Sequence, residues 1–312
     1  MSRIHIFSMA FGRPFRESFC RYAAPSLMSA GNIPALIAAG HEVRWFVYAQ
    51  DADVADIAEA SGFLNAQMRI EVFGITATAS LRAIQGELLV RGVEQALAEN
   101  AIFVPAGAMT VWSNGSLANV VKVAETTDCA VAAMYLGVDA DKWAARVAEY
   151  GSFPMGISGA DLAAEAFTML HPGSRSTLDA ATSQCHLTGT GMTQLAPDLI
   201  AARIQVPSVA AIRFKPQDLA LFQLEGDFRA WDGPVWPGTL IREGRYLFLA
   251  SNELAFQINL IRAGKQNAGA YAAMRERFGP HVDRRVMQRA TLQGEAARTF
   301  LCSIRTSRAV TL

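Results

Sequence analysis

The sequence has no surplus of either charge. Lys and Arg together number 28, as do Asp and Glu, so the formal net charge is zero. A protein that grips nucleic acid draws affinity from neutralised phosphates and carries an excess of Lys and Arg, so no nucleic-acid partner is expected. The same neutrality leaves little repulsion between copies of the chain, and association into a homo-oligomer is expected. Cysteine is scarce: Cys20, Cys129, Cys185 and Cys302 are widely spread. No two stand at the two-residue spacing that clips zinc or forms a redox pair. They read as reduced packing residues, consistent with a cytoplasmic protein. Long apolar runs are missing too, because Arg, Lys, Asp or Gly interrupts each one well before the roughly 18 residues of a membrane span. The opening Met1-Ser2-Arg3 leads straight into a strand-like run, without a basic segment, apolar stretch and cleavage site.

Several catalytic signatures are absent as well. The turn after the first strand is Ser8-Met9-Ala10-Phe11-Gly12, not Gly-x-Gly-x-x-Gly, and there is no Gly-x-x-x-x-Gly-Lys-Ser/Thr loop. Dehydrogenase and P-loop readings lose their support. Gly-x-Ser-x-Gly and His-Glu-x-x-His are also missing, which removes the nucleophile elbow and the simplest zinc hydrolase.

What is present is the material of a large α/β domain. The chain has 312 residues, 51% of them hydrophobic, enough for a sizeable core. Strand signals at 3–10, 43–48, 68–75, 101–104 and 129–136 alternate with helical signals at 17–28, 32–39, 51–60, 81–99, 115–126 and 139–150. The run 129–136 is nearly all apolar, as suits a central strand covered on both faces. This alternation predicts a mostly parallel central sheet with helices on both faces. Residues 1–150 carry that alternation. Residues 151–312 hold strands at 209–214 and 246–250 and a helical C-terminal tail from Gly269, and both halves are expected to belong to one compact domain.

Ligands of an open parallel sheet sit beyond the C-terminal ends of its strands. The places to search are therefore 8–12, 48–53, 74–78, 105–114 and 137–141. The order of strand, Pro25-Ser26-Leu27-Met28, Gly31-Asn32-Ile33-Pro34-Ala35-Leu36, strand 43–48 and Gln50-Asp51-Ala52-Asp53 resembles the opening of GT-A type glycosyltransferases. The resemblance spans roughly the first 140 residues. It implies a GT-A/Rossmann-like fold, a nucleotide-sugar donor and a glycan or small hydroxyl acceptor, with residues 1–150 as the nucleotide-binding half and residues 151–312 as the acceptor-side half. It also implies that the first two strand ends hold the base and ribose, which gives Ser8, Met9, Gly12, Arg13, Tyr48, Asp51 and Asp53 as candidates. A later strand of the family ends in Asp-x-Asp, whose carboxylates hold Mg²⁺ or Mn²⁺ against the diphosphate. Here the stretch Pro105-Ala106-Gly107-Ala108-Met109 has no carboxylate, so the usual metal ligands are missing.

In a metal-free version, Ser113, Asn114, Gly115 and Ser116 bind phosphate through backbone N–H groups at the start of a helix, with Arg13 and Arg16 adding charge. The plainer reading is that Ser113 or Asn114 caps that helix. His171 and His186 lie in polar, Gly-rich surroundings and are candidates for a general base. Glu253 is a candidate catalytic carboxylate, or else the cap of a helix at 254–263. Trp112 is a candidate for contact with sugar or acceptor. Trp231 and Trp236, in a stiff loop at 227–238, are candidates for an aromatic platform against a sugar ring. The competing readings are a catalytically degenerate GT-A-like binding module and another nucleotide-dependent α/β enzyme.

Overall fold

Alternate residues of the first two strands feed two different apolar clusters. In β1 (Arg3–Ala10), Ile4, Ile6 and Ala10 join one cluster and Phe7 joins the other. In β2 (Glu42–Gln50), Trp45, Val47 and Ala49 are divided in the same way from Phe46 and Tyr48. Such strands are buried on both faces, the condition of a parallel sheet. The computed structural model describes residues 1–61, 69–75, 81–171, 190–204, 209–222, 239–241, 243–262 and 300–310.

After β1 the chain enters α1 (Arg13–Ser18), a π-helical turn at Phe19–Ala23 and α2 (Ala24–Leu27), then α3 (Ile33–Ala38) and β2. Next come α4 (Val54–Ser61), β3 (Arg69–Ile75), α5 (Leu81–Ala98), β4 (Ile102–Pro105), β5 (Thr110–Trp112) and α6 (Ser116–Thr126). Then follow β6 (Ala130–Ala132), β7 (Met134–Asp139), α7 (Ala140–Glu149), α8 (Gly159–Thr168), β8 (Thr190–Ala196) and β9 (Leu199–Ile204). The described elements end with β10 (Val209–Arg213), β11 (Tyr246–Phe248), β12 (Phe256–Ile261) and β13 (Phe300–Arg305).

Seven strands form the central sheet in the order β11-β6-β10-β4-β1-β2-β3. All neighbours are parallel except β10, which runs against both β4 and β6. One face is covered by α2, α3 and α6, through Leu27, Ile33, Leu36, Leu117, Val120 and Val121. The other is covered by α5, through Leu88, Leu89 and Val93. Under α5 lies an aromatic layer in which Phe7 packs against Tyr48 at 5.3 Å and Phe103 at 5.5 Å between ring centroids. A Cβ on Gly92 of α5 would come within 2.9 Å of the Phe7 ring, so glycine sets how closely the helix approaches. The fold is therefore mixed α/β with a mostly parallel central sheet, as the alternation in sequence predicts.

Two small sheets complete it, in the orders β5-β12-β7 and β13-β9-β8. They build a second core with α7 and α8, which includes Trp143, Leu162, Phe167, Phe256 and Ile304. Three expectations are corrected here. The run 129–136 is not one strand: Ala133 separates β6, which belongs to the central sheet, from β7, which pairs with β12. The helix at 254–263 is the strand β12, where Phe256, Ile258 and Leu260 alternate into the second core; that period of two is a strand signal. The tail is not helical to its end, because β13 pairs antiparallel with β9 from Phe300 opposite Ile204 to Arg305 opposite Leu199. Residues 263–299 lie outside the described residues. Cys20 and Cys129 are free thiols, and burial pushes the Cys20 thiol above its ordinary value of 9.0.

Asn32 ties the segments that cover the first face. Its side-chain amide donates to the Ser26 carbonyl at 2.9 Å and the Ser113 carbonyl at 3.1 Å, and its Oδ1 accepts the Leu117 N–H at 3.0 Å. The residue is fully buried, so no water replaces these bonds. Asn32→Ala is expected to lower the unfolding free energy by about 3 kcal/mol. Urea denaturation checks this as a fall in midpoint with the slope unchanged.

At the N-terminal ends of the strands, Arg44 donates to Glu99 at 2.7 and 2.9 Å and to Glu71 at 2.8 Å, and His5 Nε2 lies 3.3 Å from Glu99 Oε2. Burial lowers the His5 pKa from its ordinary 6.5, against the opposing pull of Glu99. Below about pH 6.5 the unfolded chain then binds a proton that the folded one refuses, so stability falls as pH drops through that value and is unaffected above it. Burial would raise the Glu99 carboxyl, but Arg44 and His5 outweigh it and hold it below 4.5, so this ion pair is lost only at lower pH. His5→Gln is expected to flatten the stability profile between pH 7 and 5, read from melting temperature against pH.

Candidate functional site

The chain leaves β1 to build β2 and β3 on one side and returns to build β4 on the other. The carboxyl ends of β1 and β4 thus frame the topological switch point where open α/β sheets take their ligands. A cleft of about 480 Å³ lies there, within the roughly 300–1,000 Å³ range of small-molecule sites. Phe7 and Met9 of β1 and Pro105 at the end of β4 line it. Pro14 and Phe15 of α1 and Gln85 of α5 also face it. The crossing segment 106–109 forms one side, and Thr110 of β5 and Asn259, Leu260, Ile261 and Arg262 complete the lining.

Backbone hydrogen bonds fix that crossing. The Ala106 N–H donates to the Phe7 carbonyl at 2.8 Å, extending the β1–β4 pairing by a residue. The Thr110 N–H donates to the Gly107 carbonyl at 2.9 Å, and the Leu260 N–H to the Met109 carbonyl at 2.9 Å. The segment thereby passes from the central sheet to the small sheet containing β12, and the cleft lies at their seam.

Of the residues singled out for nucleotide binding, Met9 lines the cleft. Gly12, at φ 81°, starts α1 and so aims Pro14 and Phe15 at it. Ser8 is buried behind it: its hydroxyl donates to the Ala106 carbonyl at 2.7 Å and accepts the Trp45 indole N–H at 2.9 Å. Arg13 pairs with Glu17 at 2.7 Å, and Arg16 with Asp53 and Asp56, each at 2.8 Å. Asp51 opens the 3-10 turn after β2, close against Gly74 of β3. Tyr48 is stacked on Phe73, and burial pushes its phenol above 10.0.

The loop before α6 is committed to the protein. The Ser113 N–H donates to the Phe256 carbonyl at 3.0 Å, and the Asn114 N–H to the Ile157 carbonyl at 2.8 Å. Asn114 Oδ1 accepts the Gly31 N–H at 2.7 Å. Ser116 Oγ accepts the Phe256 N–H at 2.9 Å and lies 2.6 Å from Ser113 Oγ. Gly115, at φ 86°, caps α6, while Asn32 satisfies the next free N–H from across the core. Neither Ser113 nor Asn114 supplies the cap, and these N–H groups face protein acceptors.

Trp112 is fully buried in the core below and is not among the cleft residues. Glu253 sits exposed in the turn before β12, at the far end of that strand from Asn259–Arg262, with Arg305 4.0 Å away. His171 is buried, and its N–H donates to the Gly137 carbonyl at 3.0 Å. Gly137 stands opposite Asn259, which places His171 two strand spacings, about 10 Å, from the cleft edge. His186, Trp231 and Trp236 lie outside the described residues.

No carboxylate occurs among the described residues lining the cleft. No group of three or more His, Cys, Asp or Glu suited to a metal ion occurs among the described residues. A hard Mg²⁺ or Mn²⁺ wants charged oxygen donors, so this donor set does not fit one. Reading the sequence missed Phe15, Gln85, Asn259 and Arg262. The last two were hidden because β12 was read as a helix; its alternation was the available signal.

No protein-family model matches the chain, and no curated protein matches it. Among solved structures it is similar to a protein described as a glucose-1-phosphate thymidylyltransferase from Bacillus anthracis in complex with sucrose. That match has 10% identity, covers 80% of this chain and 86% of that one, and has a TM-score of 0.38. It is also similar to apo UDP-glucose pyrophosphorylase, at 8% identity over 90% and 99% of the two chains, with a TM-score of 0.34. Mouse xyloside xylosyltransferase 1, apo form, matches at 8% identity over 44% and 52%, with a TM-score of 0.28. These likenesses are loose, and the reading of the site rests on the geometry of this chain. Among the described residues no helix is long and apolar enough to cross a membrane.

Ser116→Ala leaves the buried Phe256 N–H without its acceptor, and is expected to cost about 2 kcal/mol of stability while leaving ligand affinity at the cleft unchanged. Chemical denaturation and calorimetric titration separate the two effects. Weakened binding at unchanged stability would restore this loop as an anion cradle.

Proposed function

We propose that the chain binds a nucleotide-sugar in the β1–β4 cleft and transfers the sugar to a hydroxyl acceptor. The observation that carries this reading is the cleft itself: an apolar slot with a few polar groups at the switch point of a mostly parallel sheet. Phe15, 40% exposed on α1, offers a ring face to a base, and Gln85, Thr110 and Asn259 offer hydrogen bonds to base or ribose. In the transfer the acceptor oxygen bonds to the anomeric carbon, the bond from that carbon to the diphosphate oxygen breaks, and a base takes the acceptor's proton. Of the described candidates for that base, His171 stands nearer the cleft than Glu253 does. Residues beyond 150 then form the acceptor side.

A second reading keeps the ligand and drops the chemistry: a binding module of the same fold. The absence of any carboxylate among the described cleft residues favours it. A thermal-shift panel of UDP, GDP, CMP and dTDP sugars, with and without Mn²⁺, tests the shared part of both readings, since a ligand that binds only the native state raises the melting temperature. One nucleotide class is expected to give a clear shift. Silence across the panel with folded protein removes both readings. Phe15→Ala is expected to reduce the shift at least severalfold while leaving the unliganded melting temperature within about 2 °C, because the ring is partly exposed. Sugar transfer to a hydroxyl acceptor, measured on the stabilising donor, then decides between enzyme and binding module.

A further inference from the structure

A diphosphate brings two or more negative charges into whatever site receives it. In a partly desolvated cleft those charges need a counter-charge. The GT-A resemblance implies metal-holding carboxylates at the end of a later strand, yet the crossing segment Ala106-Gly107-Ala108-Met109 on the cleft wall presents none. Arg13 pairs with Glu17 and Arg16 with Asp53 and Asp56, and neither arginine is among the described residues lining the cleft. The Ser113 and Asn114 N–H groups before α6 face the Phe256 and Ile157 carbonyls.

One charged residue remains among the described residues that line the cleft. Arg262, exposed just past the end of β12, has no ion pair or hydrogen bond to another described residue. On β12, Asn259 stands opposite Thr110 of β5, so two neutral hydrogen-bonding side chains lie on the same wall as the cation. We infer that this cleft meets the diphosphate of its ligand with the Arg262 guanidinium in place of a divalent cation. The inference rests on the nucleotide reading above and specifies how that site handles charge. The planar guanidinium is always charged and presents paired N–H donors that match two phosphate oxygens, which a lysine ammonium does only as a point charge.

Calorimetric titration of the whole chain with UDP, GDP, CDP and dTDP, and with the four matching nucleosides, tests it in EDTA and again in Mn²⁺. One diphosphate is expected to bind equally well in both buffers. Arg262→Gln is expected to weaken it about tenfold to a hundredfold and to leave binding of the nucleoside within twofold. Arg262→Lys should recover part of the loss, and affinity in the wild type should fall with added salt. Both variants should melt with the wild type, since the side chain is exposed and has no partner among the described residues. A diphosphate that needs Mn²⁺, or one that Arg262→Gln leaves within twofold, overturns the inference while the nucleotide reading stands. Failure of every nucleoside and diphosphate to bind wild-type protein removes that reading and this inference with it.

Discussion

A single buried amide ties two distant segments of the chain together. Asn32 bonds to the Ser26 and Ser113 carbonyls and to the Leu117 N–H, joining the α2–α3 turn to the start of α6. The Ser26 and Ser113 carbonyls each also accept a local N–H, from Ser29 and Ser116, so the group that depends most on Asn32 is the buried Leu117 N–H, and leaving it unpaired costs more than an average bond gains. Asn252 repeats the device in the second core, bonding to the Gly159 and Arg305 carbonyls and accepting the Arg305 N–H. Ser116 couples the two cores through Phe256. At the start of α6 the Ser113, Asn114, Ser116 and Leu117 N–H groups thereby face protein oxygens.

With those donors engaged, attention shifts to the β1–β4 seam, whose lining is apolar for a related reason. Elsewhere in the described fold the buried Glu165 and Asp218 are matched with guanidinium groups, and the buried Asp139 accepts the Asp141 and Lys142 N–H groups at the start of α7. Glu165 receives Arg146, Arg308 and the Tyr150 hydroxyl, and Asp218 receives Arg245 through two bonds at 2.6 and 2.8 Å. Charges placed this way define the packing and are unavailable to a ligand. What the cleft keeps is shape, a few neutral polar groups and one cation at its rim.

The alternation of strand and helix through residue 150 was legible because period-two and helical patterns are local, and most of those elements lie within a residue or two of their expected places; the exceptions are an earlier, broken first helix, the short strand β5 and the division of 129–136. The later half was less so. Alternation in β12 is as regular as in β1, but Ser251-Asn252-Glu253 before it imitates a helix start. The split at Ala133 had no local signal, since both flanks are apolar and only their partners differ, β10 and β11 on one side and β12 on the other. The site followed the same rule. The strand ends near Met9 and Pro105 were found from topology, whereas Phe15, Gln85 and Arg262 reach the cleft through packing between elements far apart in sequence.

The crossing Ala106-Gly107-Ala108 joins two sheets with backbone bonds at both ends, while its side chains contribute almost no bulk. Ala106 and Ala108 are buried in the core on the α2–α3–α6 side of the sheet, and a Cβ on Gly107 would come within 2.8 Å of Thr110 Oγ1. The wall of the cleft is therefore also the outer layer of a packed core. A larger residue in this crossing would push on the seam between the two sheets rather than trim the space beside it.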